Sequence, residues 1–95
     1  MRKVFSISRA RTRSFLKNET EGRIFSVYFQ KVNGDMRQMV CRRGVTRHLR
    51  GGGLPYDPNK YGYLPVFDME ARDYRMVNLN SITSFRIGGE MFLVW

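Results

Sequence analysis

From Ile24 to Lys31 the chain reads IFSVYFQK, in which Phe25, Val27 and Phe29 alternate with Ser26, Tyr28 and Gln30. A period of two with aromatic and β-branched residues predicts a half-buried strand. The next residues, VNGD, place Asn33 and Gly34 where a tight turn needs positive φ, and MRQMVC (Met36 to Cys41) resumes the alternation. Together they predict a hairpin. Further on, Tyr63 to Met69 and Tyr74 to Asn80 read as strands joined by a short polar turn, Glu70 to Asp73. Ile82 to Ile87 is another, and Gly88 and Gly89 permit a reversal into EMFLVW, Glu90 to Trp95. Five or six short strands in so small a chain argue for a closed or nearly closed barrel, because closure removes unpaired edges.

Two stretches lack this period. Between Gly44 and Arg50, Val45 and Leu49 stand four apart and would give a short helical turn an inward edge, with Gly51 as its stop. The following LPYDPNKYG, Leu54 to Gly62, has two prolines and predicts an irregular connection. Arg2 to Lys17 leaves three conformations open: a strand at Val4 to Ser8, a basic helix docked by Phe15 and Leu16, or an arm that orders on a polyanion. The chain therefore divides into a basic arm or docked segment, residues 1–22, and a β-barrel domain, residues 23–95.

Ninety-five residues with 42% hydrophobic content suffice for one modest core and leave little room for a deep substrate cleft. Charge changes the picture more. Seventeen basic residues against eight acidic give +9, which makes a polyanion or an acidic protein surface the expected partner. The excess is uneven: six cations lie in Arg2 to Lys17 and five in Arg37 to Arg50, with no acid in either segment. A single cysteine offers neither an internal disulfide nor a metal set, and no apolar run is long enough to cross a bilayer, so a cytoplasmic protein without membrane contact is expected. The Arg- and Ser-rich start also has the composition of a mitochondrial transit peptide.

The run MVCRRGVTRHLRGGGLPYDP followed by LPVFDMEARDYRMVNLNSITSFRI resembles a family of small tailed-phage proteins with a Src-homology-3-like barrel. The likeness covers Arg23 to Glu90 and rests on a pattern M-x-C-R-x-G-V-x-x-H-L-x-G-G-G, then a second ending in Y-R-x-I-N-L. Tyr74 to Ile87 also looks like the closing part of WYL domains, although the Trp-Tyr-Leu triplet is absent. Those domains have Sm-like barrels and are associated with nucleic-acid or nucleotide sensing. The resemblance implies a mainly β fold, a small five- to six-stranded Src-homology-3-like or Sm-like barrel with a basic arm and one short helical turn, and host cytoplasm as the setting.

Candidate chemistry follows the charge. Arg42, Arg43, Arg47, His48 and Arg50 precede Gly51 to Gly53, where a glycine run lets backbone N–H groups approach a phosphate; no Walker loop is present. Tyr56, Lys60 and Tyr61 lie beside them and suit base stacking above a basic groove. Arg9, Arg11 and Arg13 would share one face if extended and could then follow a nucleic-acid backbone. A solvated turn and a solubilising tail are the competing readings of these two segments. Catalysis is not expected: Cys41 and His48 lack a third group, and Asp68, Glu70 and Asp73 fit a polar turn better than a metal site. No cofactor is implied. The expected function is non-catalytic binding of DNA or RNA with little sequence specificity; the alternative is a phage-encoded inhibitor of an acidic host-protein surface. An exposed patch at Phe5, Phe15, Phe92 or Trp95 would favour the protein partner.

Overall fold

A computed structural model describes residues 3–20, 22–43 and 62–95. The second Arg-rich segment beyond Arg43, with Arg47, His48, Arg50, Tyr56, Lys60 and Tyr61, lies outside the described residues. In chain order the elements are β1 (Lys3–Ile7), α1 (Arg9–Glu19), β2 (Ile24–Gln30), β3 (Met36–Arg42), β4 (Tyr63–Asp68), β5 (Asp73–Asn78), β6 (Ile82–Ile87) and β7 (Glu90–Val94).

All seven strands form one sheet in the order β1-β7-β6-β2-β3-β4-β5. The expected hairpin is β2–β3, with Phe25 opposite Cys41 and Val27 opposite Met39. Of its two turn residues only Gly34 takes positive φ, at 93°, while the Asn33 side chain accepts a hydrogen bond from the Asp35 N–H instead. The β6–β7 reversal uses both glycines, Gly88 and Gly89, at φ 60° and 118°. Here positive φ at two successive positions is what the tight turn demands.

The expected closure is corrected in part. Seven strands are present, and among the described residues no pairing joins β1 to β5, so the sheet wraps around its core without closing. The additional strand is β1, which pairs in parallel with β7, Lys3 beside Glu90 through Ile7 beside Val94. Of the three conformations open to Arg2–Lys17, the described residues take two in succession, strand and then helix.

The core lies on the sheet face toward α1. Phe25, Val27, Cys41, Leu64, Val66, Val77, Ile82, Phe85 and Ile87 are buried there together with Leu16 of α1. Phe5, Phe92 and Phe85 are direct neighbours across β1, β7 and β6, with ring centroids 5.2 and 4.9 Å apart. Phe15 of the helix closes over Phe92 at 4.7 Å and Phe85 at 5.7 Å. Each such pair adds about 0.5–1.5 kcal/mol beyond the area it buries.

Candidate nucleic-acid interface

Helix formation decides the fate of the first arginine group. At 100° per residue Arg9 and Arg13 share a face with Thr12, Leu16 and Thr20, whereas Arg11 turns away. The single face expected for an extended Arg9, Arg11 and Arg13 is therefore corrected. Arg9 donates from Nη1 to the carbonyls of Leu79 at 2.7 Å and Ile82 at 3.0 Å, and Arg13 donates to the Tyr63 carbonyl at 3.3 Å. These guanidinium groups bind the chain's own backbone at the β5–β6 turn and the start of β4. Arg11 is exposed, and no hydrogen bond or ion pair engages its guanidinium among the described residues.

Arg43 behaves as Arg9 does. Its Nη1 donates to the carbonyls of Lys17 at 2.8 Å and Leu16 at 3.3 Å, in the last turn of the helix where carbonyls run short of intrahelical donors. Thr20 supplies further donors to Leu16 through its N–H and its hydroxyl. The adjacent Arg42 takes the opposite side of the sheet, because neighbouring strand residues alternate.

On that outer face, strand register brings together residues that sequence spacing does not. Arg42 of β3 stands beside Ile24, and Arg86 of β6 stands beside Ser26, two residues further along the same strand β2. Ordinary strand spacing and rise place the two arginine Cα atoms about 12 Å apart. The next row contains Ser84, Tyr28 and Gln38. Among the described strands, no residue of this face is acidic. Both arginines are half-buried, and among the described residues the buried Nε atom of each has no hydrogen-bond partner. A buried donor left unpaired costs about 1–3 kcal/mol.

Arg86 was not among the sequence candidates. Its signal was available in ITSFRI: a cation between Phe85 and Ile87, both core residues, must point out of the barrel.

Cys41, Asp68 and Asp73 serve the fold. Cys41 is fully buried, and burial together with the Asp68 carboxylate pushes its thiol up to about 12. It is therefore a neutral core side chain at physiological pH and a poor nucleophile. Asp68 accepts from the N–H groups of Glu70 and Ala71 at 3.0 and 3.1 Å, so its carboxylate holds the β4–β5 turn. Asp73 accepts from the Tyr74 N–H and faces Arg75 at 3.9 Å. Among the described residues no helix is long and apolar enough to cross a membrane.

The WYL_2 family, described as having an Sm-like SH3 beta-barrel fold, has a sequence profile that matches residues 13–83. The chain belongs to this family. The WYL_2 match begins inside α1, far ahead of Tyr74, and ends at Thr83, so part of the segment before Arg23 falls within the family's domain. The Sm-like barrel of the WYL_2 family accommodates β2 to β5 and the start of β6, while β1 and β7 lie outside the matched span. No curated protein and no solved structure matches the chain.

Proposed function

We propose that this protein is a non-catalytic, nucleic-acid-binding small barrel whose outer face takes phosphates at Arg42 and Arg86 with little dependence on sequence. The observation that carries the reading is the pair of guanidinium groups on a face that is acid-free among the described strands, each with a buried Nε that lacks an acceptor among the described residues. Guanidinium groups offer forked donors that match phosphate oxygens. Tyr28, half-buried in the adjoining row, adds an aromatic surface on which a base can stack. Arg47, Arg50 and the glycines after them extend the charge along the chain from Arg42. Among the described residues this face is built of strands alone, which favours single-stranded nucleic acid and phosphate contact over base readout by a helix. The tailed-phage pattern in the sequence supports a phage setting for this activity.

Fluorescence anisotropy of labelled single-stranded DNA, duplex DNA and RNA across a salt series tests the proposal. Arg42→Glu and Arg86→Glu should each weaken binding about tenfold or more, and for every phosphate no longer neutralised the salt slope of a single strand should fall by about 0.7. Unchanged affinity and slope in both variants would remove this face from the interface.

A second reading, an inhibitor that binds an acidic host-protein surface, is favoured by one observation. Val4, Phe5, Leu93 and Trp95 are exposed at 61%, 41%, 48% and 73% at the β1 end of the sheet.

A further inference from the structure

We infer that the outer edge of β1, together with the groove between β1 and α1, is a docking site for an extended peptide with an apolar anchor residue flanked by acidic ones. Two independent features meet there. The first is an unpaired strand edge. Ile7 accepts from the Trp95 N–H through its carbonyl, so in this parallel pair the backbone groups of Lys3, Phe5 and Ile7 face β7. Those of Val4 and Ser6 face away, and no described residue pairs with β1 on that side. The edge KVFSI carries no proline or bulge to discourage strand addition, and its one charge, Lys3, stands at the first residue of the strand.

The second feature is a groove of about 440 Å³ beside that edge. Phe5, Phe15 and Phe92 form its floor, and Arg11, Ser14 and Asn18 line its helical wall at a spacing that follows one side of α1. Phe5 stacks on Phe92 yet keeps 41% of its surface exposed, so its ring is available to an incoming side chain. A strand added to β1 would point every second side chain toward this floor. Main-chain hydrogen bonds to Val4 and Ser6 would then supply affinity, and the groove would supply selectivity.

Charge selects the occupant. Arg11 is unengaged among the described residues, Lys3 lies on the edge strand, and the chain carries +9; Glu19 offsets this only at one end of the groove. An acidic residue next to the anchor would meet Arg11. This site shares no residue with the Arg42 and Arg86 face, and it develops the protein-partner reading.

The test selects binders to the full chain from a displayed library of random octapeptides, followed by synthesis of an enriched peptide and amide chemical-shift mapping. The expected peptide combines an apolar residue with Asp or Glu, and its shifts cluster in β1, β7 and α1. N-methylation of alternate backbone nitrogens abolishes binding. Arg11→Glu weakens it about tenfold with an unchanged melting temperature, a size typical of a charged contact at an interface rim. Arg42→Glu and Arg86→Glu leave it intact, which separates this site from the nucleic-acid face. Failure to enrich any peptide, tolerance of N-methylation, or shifts located elsewhere would overturn the inference. So would a homodimer in sedimentation that protects the Val4 and Ser6 amides, or single-stranded DNA that shifts the same groove residues.

Discussion

Cys41 shows how one side chain reports the core around it. In the folded chain its thiol titrates near 12, because burial and Asp68 oppose the thiolate, whereas an unfolded cysteine titrates near 9.0. The folded state therefore retains a proton that the unfolded state releases above pH 9. The associated stability is fully present below that pH and is lost as pH rises toward 12, at a limiting slope of about 1.4 kcal/mol per pH unit. Denaturant titrations of wild type and Cys41→Ala between pH 8 and 11 should show the extra slope in wild type alone; parallel curves would count against the raised thiol. The same burial predicts that a thiol reagent leaves the native protein unmodified at pH 8 and reacts on unfolding. Arg86 gives the opposite lesson at this scale. It is one more alternating residue in the sequence, and only strand register sets it diagonally across Ser26 and Ile24 from Arg42.

At the scale of elements, α1 is held to the barrel by cations as well as by apolar contact. Arg9, Thr12, Arg13, Leu16 and Thr20 share its inward stripe, with Phe15 beside them on Phe85 and Phe92. The polar members are satisfied by carbonyls, from Arg9 to the β5–β6 turn and from Arg43 back to the last turn of the helix. Charge-assisted hydrogen bonds of this kind contribute about 1.5–3 kcal/mol when partly buried. Arg9→Ala and Arg43→Ala should each lower stability by about 1–3 kcal/mol in chemical denaturation and leave nucleic-acid affinity nearly unchanged once the protein is folded. Affinity loss without stability loss would return both residues to the interface. This arrangement also explains what the sequence could and could not disclose. The β2–β3 hairpin is legible because Phe25, Val27 and Phe29 face a single core and Gly34 marks the turn. The helix docked by Phe15 and Leu16 and the strand near Val4 to Ser8 are both among the readings open for Arg2–Lys17, but a stripe that also buries arginines and threonines has no hydrophobic period to choose between them. What the sequence withheld of β1 is its partner: it pairs with the last strand, and local pattern carries no trace of such distant pairing. Of the candidate interface, Arg42 was legible from charge density, while Arg9, Arg13 and Arg43 had the same charge and a structural use that only their carbonyl partners reveal.

For the molecule as a whole, seventeen basic residues against eight acidic ones leave an excess of nine positive charges. Among the described residues the only salt bridge is Arg75 with Asp73, at 3.9 Å and well exposed. Self-repulsion among the remaining cations is screened by salt, since the Debye length falls to about 8 Å at 0.15 M. The melting temperature of the free protein should therefore rise by a few degrees, roughly 1 kcal/mol of stability, between 20 and 300 mM sodium chloride, while affinity for a polyanion falls over the same range. A melting temperature that falls with salt would indicate that attractive pairs dominate. The first and last strands have a consequence of another kind. Because β1 completes the sheet against β7, Lys3 and Glu90 must meet across nearly the whole length of the chain. Closing so long a loop is entropically costly until the intervening barrel has already shortened it. Loop-closure cost therefore predicts that the local hairpins β2–β3, β4–β5 and β6–β7 form before β1 docks, which would confine the free edge and its groove to a molecule that has finished folding.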